Sequence, residues 1–227
     1  MSGLLKSSIG RKFAMALSAF FLMFFLLQHL VINITSIFPD HGATFNSLSH
    51  FMGTNPLVQF ALQPVLIIGV VFHFVMGFIL ELKNNSARNV KYAKNNGAAN
   101  ATWMSRNMIW SGLAILAFII LHFVDFWFPE INTKFIQGDW SGMHNGELRY
   151  FHELQEKFHS SARVVAYVIA FGFLAMHLLH GFNSAFQSVG ANNKYTNGLK
   201  TFGKLYAILI PLGFVIIALF HHFNYIH

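Results

Sequence analysis

The stretch Val164–Gln187 reads VVAYVIAFGFLAMHLLHGFNSAFQ and contains no Asp, Glu, Lys or Arg. At ~1.5 Å of rise per residue, a helix of this length crosses a hydrocarbon core of ~30 Å. Four other runs share the property: Phe13–Phe38, Pro56–Leu80, Asn107–Val124 and Leu205–Ile226. The chain is 55% hydrophobic and 10% charged, too apolar for an ordinary soluble domain. Folded as a soluble all-α protein, five such segments would lack the polar surface to cover them. The expected fold is therefore an all-α membrane protein, one domain over 1–227. Its five transmembrane helices are expected near 11–38, 56–82, 104–128, 162–187 and 202–225. The third should stop at Phe128-Pro129. A short outer loop should follow the first helix, and Pro211 should kink the fifth. The longest connection, 130–160, should carry a short interfacial helix around His152–Phe158.

Charge sets the orientation. With the N-terminus inside and the C-terminus outside, the inner side holds Lys6, Arg11, Lys12, Lys83, Arg88, Lys91, Lys94, Arg106, Lys194, Lys200 and Lys204. That is 11 of the 15 basic residues, the positive-inside pattern. A formal charge of +7 distributed this way argues for a membrane and against nucleic acid. The basic inner loops suit an acidic soluble partner. Trp103, Trp110, Trp127 and Trp140 fall near expected interfaces. The start is only faintly like a signal peptide, and its apolar run is too long for one, so it reads as the first retained helix. The absence of cysteine excludes disulfides, thiolate metal sites, Cys-bound iron–sulfur clusters and c-type haem on this chain.

Four of the uncharged runs carry a histidine: His29, His73, His122 and His177. A histidine in lipid is expensive and usually functional. His29 and His122 lie about 16 residues from the inner ends of their runs, His73 and His177 about 7 to 10, so the two levels differ by roughly 10 Å. Two pairs at two depths point to two bis-histidine haems b, His29 with His122 at the outer level and His73 with His177 at the inner. The helices echo one another. His73 and His177 each begin a His-x-x-x-Gly, ending at Gly77 and Gly181, while His29 and His122 open His-Leu-Val and His-Phe-Val. Gly69, Gly77 and Gly181 offer a flat porphyrin a shallow wall; close helix packing is the rival use of Gly69 and Gly77. His180 competes with His177 as a ligand, but only His177 repeats the spacing of His73. The loop histidines His41, His50, His144, His152 and His159 have no specific metal spacing, and neither do His221, His222 and His227 near the outer terminus.

Polar residues in the spans suggest a quinone site, which needs hydrogen bonds to carbonyls and a proton acceptor. Asp125, Asn33, Gln59, Gln63 and Arg163 form the outer candidate; Glu81, His180 and Ser184 form an inner rival. No residue is assigned as catalytic. Arg11, Lys12, Lys83, Arg88, Arg106 and Arg163 are available to propionates.

The five-helix pattern with histidine in the first four helices, and above all the block Met176-His-Leu-Leu-His-Gly-Phe-Asn-Ser-Ala-Phe-Gln-Ser-Val-Gly190, resembles the cytochrome b subunit of bacterial succinate dehydrogenases and fumarate reductases, in its single-chain di-haem form. The resemblance covers nearly the whole chain; the block is its specific part. It implies a membrane anchor in the bacterial inner membrane, for an iron–sulfur subunit and a flavoprotein subunit with covalent FAD on the cytoplasmic side. It implies that His29 and His122 hold the distal haem and His73 and His177 the proximal one. Electrons would pass between succinate and quinone, menaquinone above all; a higher oligomer of the complex is compatible with this. The chain itself shows no flavin or dicarboxylate motif, so it would be a subunit of the enzyme and not its dicarboxylate catalyst. Two rival readings are a di-haem anchor of another respiratory dehydrogenase or reductase, and a haem-free transporter with intramembrane histidines.

Overall fold

The computed structural model describes residues 7–86, 108–144, 146–191 and 195–224. Lys6, Trp103, Arg88, Lys91, Lys94, Arg106 and Lys194 lie outside them, as does His227. The described chain is an α-helical bundle with five helices long and apolar enough to cross a membrane.

Helix α1 spans Ser8–Ile34, with Ser7 Oγ accepting from the Gly10 N–H at 2.9 Å, and a 3-10 turn extends it through Ile37. Helix α2, Ala43–Thr54, occupies what the sequence suggested was a short loop. Asp40 explains it: its carboxylate accepts from the N–H groups of Gly42 and Thr44, satisfying donors of the first turn. Helix α3 enters through a π-turn at Val58–Leu62 and runs over Gln63–Ser86. Helix α4 is Met108–His122. It does not stop at Pro129. A π-turn at Phe123–Trp127, a turn at Phe128–Ile131 and a second π-turn at Asn132–Ile136 carry it onward. Proline has no N–H to give, and the wider turn preceding it shifts the ladder so that the missing bond no longer ends the helix. A two-residue hairpin (β1 Met143–His144, β2 Glu147–Leu148) precedes α5, Tyr150–His159, the expected short helix. Helix α6 is Ser161–Ser188 and α7 is Thr196–Phe223, which starts earlier than expected and continues unbroken past Pro211.

The pattern on α7 shows how the bundle coheres. Gly203, Ala207, Ile210, Phe214, Ile217 and His221 are buried, three or four residues apart, while Phe202, Ile208, Leu209, Leu212 and Ile216 are exposed. That is a packing stripe on a helix otherwise coated for lipid. Small residues let backbones approach: a Cβ on Gly203 would meet the Phe182 ring at 2.4 Å, and one on Gly213 would meet Leu30 at 2.9 Å. Tyr206 donates to the Met23 carbonyl, fastening α7 to α1. Helices α2 and α5 and the hairpin cap one end of the bundle. There Glu130 pairs with both Lys134 and Arg149, and Arg149 also reaches Glu153 at 2.6 Å. Lys134, 1% exposed, donates to the Gly53 carbonyl as well, so the cap is tied to α2.

Candidate functional site

The four intramembrane histidines meet as two pairs. His29 on α1 faces His122 on α4, with ring centroids 5.8 Å apart and planes at 86°. His73 on α3 faces His177 on α6, at 6.3 Å and 65°. The first pair is nearer the cap. All four line one cavity of about 1020 Å³, at the top of the range for bound organic ligands.

Each histidine of the lower pair is held by a serine. His73 Nδ1 lies 3.0 Å from Ser18 Oγ, and His177 Nδ1 lies 3.1 Å from Ser111 Oγ. The upper pair is held by rings. Phe25 stacks on His29 and Phe118 on His122, each one turn before its histidine. Phe214 of α7 also reaches His29, at 5.7 Å, which gives the fifth helix a part in the site. Asn33 donates to the His29 carbonyl at 2.8 Å, so its amide nitrogen is what faces His29 Nδ1, at 3.4 Å. His122 Nδ1 is buried without a hydrogen-bond partner among the described residues.

The sequence reading missed these serines, though a signal was present. Met15, Ser18, Phe25 and His29 are repeated as Met108, Ser111, Phe118 and His122, each 93 residues on. Serine and histidine are 11 residues apart in both helices, three turns plus 20°, so they share a face ~16 Å apart. This is somewhat more than the roughly 10 Å level difference read from the apolar runs.

Of the three glycines singled out, Gly77 and Gly181 line the cavity and Gly69 does not. A Cβ on Gly69 would strike the Phe21 ring at 2.7 Å, so its role is packing α3 on α1. Four residues make 400° of helix, which places Gly69 and Gly77 on opposite flanks of His73. Gly112, which the sequence reading did not single out, lines the cavity beside His177. His180 does not line it; three residues turn it away from the flank His177 occupies.

The expected outer polar cluster is divided among other tasks. Asp125, 2% exposed, is ion-paired with Arg163 and accepts from the Tyr167 hydroxyl at 2.8 Å; neither Asp125 nor Arg163 lines the cavity. Tyr167 does, 6.3 Å from the His122 ring. Gln59 donates to the Met52 carbonyl, Gln63 begins α3 off the cavity, and Asn33 stays at His29. Of the inner set, Glu81 and Ser184 line the far end of the cavity and His180 does not.

The cap end of the cavity carries polar groups not anticipated. Glu130, Tyr150 and Glu153 line it. Tyr150 Oη and His50 Nδ1 are buried without hydrogen-bond partners among the described residues. Both crowd Gly142, where a Cβ would meet them at 2.6 and 2.9 Å. Burial, with the Glu130 carboxylate next, pushes the Tyr150 phenol up to about 12, so it remains an O–H donor throughout the neutral range. Among the described residues no group of three or more His, Asp or Glu is arranged to hold a metal ion. A metal at either pair would take two imidazoles from the protein and its other donors from elsewhere. No family model, curated protein or solved structure matches the chain.

Proposed function

We propose that this chain is the di-haem cytochrome b anchor of a succinate:quinone oxidoreductase, passing electrons between an iron–sulfur subunit and quinone. The observation that carries the reading is the two facing imidazole pairs at two depths in one cavity. A first-row metal–imidazole bond is about 2 Å, and the ligating nitrogen stands about 1 Å from its ring centroid, so two imidazoles could share one metal with centroids up to about 6 Å apart. The pairs stand at 5.8 and 6.3 Å. Two protein donors per centre suit a porphyrin, which supplies the other four. Gly77, Gly112 and Gly181 leave the cavity wall shallow beside the lower pair.

Bound here, two haems b would supply one-electron chemistry at two levels of the membrane. The residues do the rest. His29 and His122 would hold the upper group, His73 and His177 the lower. Ser18 and Ser111 orient the lower imidazoles, and the Phe25 and Phe118 rings wall the upper ones. At the cap, Tyr150 lines the cavity, and its hydroxyl, without a hydrogen-bond partner among the described residues, is the candidate donor to a quinone oxygen. Glu153, partly exposed and lining the cavity, is placed to take a quinol proton toward the surface. On this reading the positive-inside pattern orients the cap outward and the Ser8 end of α1 toward the cytoplasm, and the bacterial inner membrane rests on the resemblance. The partner subunits, with their FAD and iron–sulfur clusters, rest on the resemblance of the Met176–Gly190 block.

The test is a pyridine haemochrome assay on the detergent-purified native complex, per copy of this chain. Two haems b are expected, falling to one in His29→Ala or His122→Ala. Loss of both from either change, with the fold intact, would refute the pairing. No haem in the wild type would return the chain to the transporter class.

A further inference from the structure

We propose that Ser18 and Ser111 are the positioning residues of the lower pair, each fixing its histidine as the Nδ1–H tautomer and leaving Nε2 as the ligating lone pair. The inference rests on the haem reading and goes beyond it to the electronic inequality of the two centres.

The argument starts from the hydroxyl protons. Ser18 Oγ lies 2.8 Å from the Met15 carbonyl oxygen, and Ser111 Oγ lies 2.9 Å from that of Met108. Two oxygens at that distance repel unless a proton lies between them, so each hydroxyl donates to its carbonyl. Having spent its only proton, each serine meets the imidazole as an acceptor. At 3.0 and 3.1 Å, His73 and His177 must therefore donate from Nδ1–H. A neutral imidazole has one N–H, so Nε2, across the ring, carries the free pair. The arrangement occurs twice, on helices with the same Met-x-x-Ser spacing.

The upper pair lacks it. His29 Nδ1 faces an amide nitrogen, which is a donor, and His122 Nδ1 has no partner among the described residues. An acceptor on the far nitrogen makes an imidazole a stronger donor to its metal and favours the oxidised ion. Ser18 and Ser111 thus pull the lower centre's potential down, and among the described residues nothing comparable acts on the upper.

The experiment is a redox titration of both haems, with their low-spin EPR signals, in the native complex carrying Ser18→Ala, Ser111→Ala, Ser18→Thr or Ser111→Thr. The lower haem is identified as the one lost in His73→Ala. Each alanine change should raise its potential, roughly tenfold in oxidised-over-reduced preference or ~59 mV for one electron, and shift its EPR signal. Loss of the lower haem alone supports the inference equally. The upper haem should not move, and threonine, which keeps the hydroxyl, should restore the lower. An unmoved lower haem in both alanine variants, or threonine as defective as alanine, overturns the inference and leaves the two-haem reading standing. A wild type without haem overturns both.

Discussion

Asp125 illustrates how burial reassigns a residue. By position it is a carboxylate one turn beyond a membrane histidine, in a place suited to proton transfer. In the fold it is 2% exposed and shared between Arg163 and the Tyr167 hydroxyl. A carboxylate so engaged clips α4 to α6 and steadies the Tyr167 ring beside His122. Removing one partner of a fully buried ion pair costs about 3–5 kcal/mol. Arg163 is 36% exposed and can turn toward water, so Asp125→Asn should cost about 2 kcal/mol. The expected result is a lower melting temperature in detergent, with quinone turnover per haem preserved. Turnover lost at unchanged stability would restore Asp125 to the quinone site.

At the scale of the element, the spans are held together by what they lack. Gly203 leaves a space that the Phe182 ring fills, and an added methyl would stand 2.4 Å from it. Gly203→Ala should destabilise the α6–α7 contact by about 1–3 kcal/mol, the usual cost of overpacking. Gly198→Ala is the control, because nothing lies within 4 Å of its added Cβ. There the better helix former should be neutral or slightly stabilising. Equal effects of the two changes in a detergent-denaturation series would mean that contact with the Phe182 ring does not govern this face. The end of α7 is an element-scale contact too. His221 is bonded to Ser36 Oγ at 2.9 Å, and His222 Nδ1 donates to the Phe158 carbonyl, which docks the helix end on α1 and α5.

Across the whole molecule, the cap and the spans follow different rules. The spans cohere through small residues, aromatic rings and a few hydrogen bonds. The cap coheres through charge, with Glu130 between Lys134 and Arg149. Those two cations are 1% and 9% exposed, so stripping the shared carboxylate would leave both short of a partner. Glu130→Gln should cost about 3 kcal/mol and open the cap before the bundle. Limited proteolysis should then cut faster between 137 and 160 while the spans stay protected. Unchanged cleavage would show that Arg149 and Glu153 hold the cap without Glu130. Acidification should loosen the start of α2 in the same region. Hydrogen bonds from the Thr44 side chain and backbone hold the Asp40 carboxyl below the usual range. Its contribution is present above the ordinary carboxylate pKa and is lost as pH falls through the lowered one.

Much of this was legible in the chain. Uncharged runs of 18 residues or more are long and apolar enough to cross a bilayer, and that alone pointed to five spans and their helical character. Histidine depth along those runs was legible as well, because helical rise is constant. The serine partners were written in the sequence as a repeat of Ser18 and His29 at Ser111 and His122, but an 11-residue spacing has no meaning until two helices face each other. Only the tertiary structure decided the rest. It turned Gly69 to Phe21, set His180 off the cavity, gave Asp125 to Arg163 and Tyr167, and gathered Tyr150 and His50 at the cap. The physical reason is that lipid selects for apolarity along a helix but is indifferent to which side faces inward. The direction of each side chain is settled by contacts between helices that lie far apart in the chain.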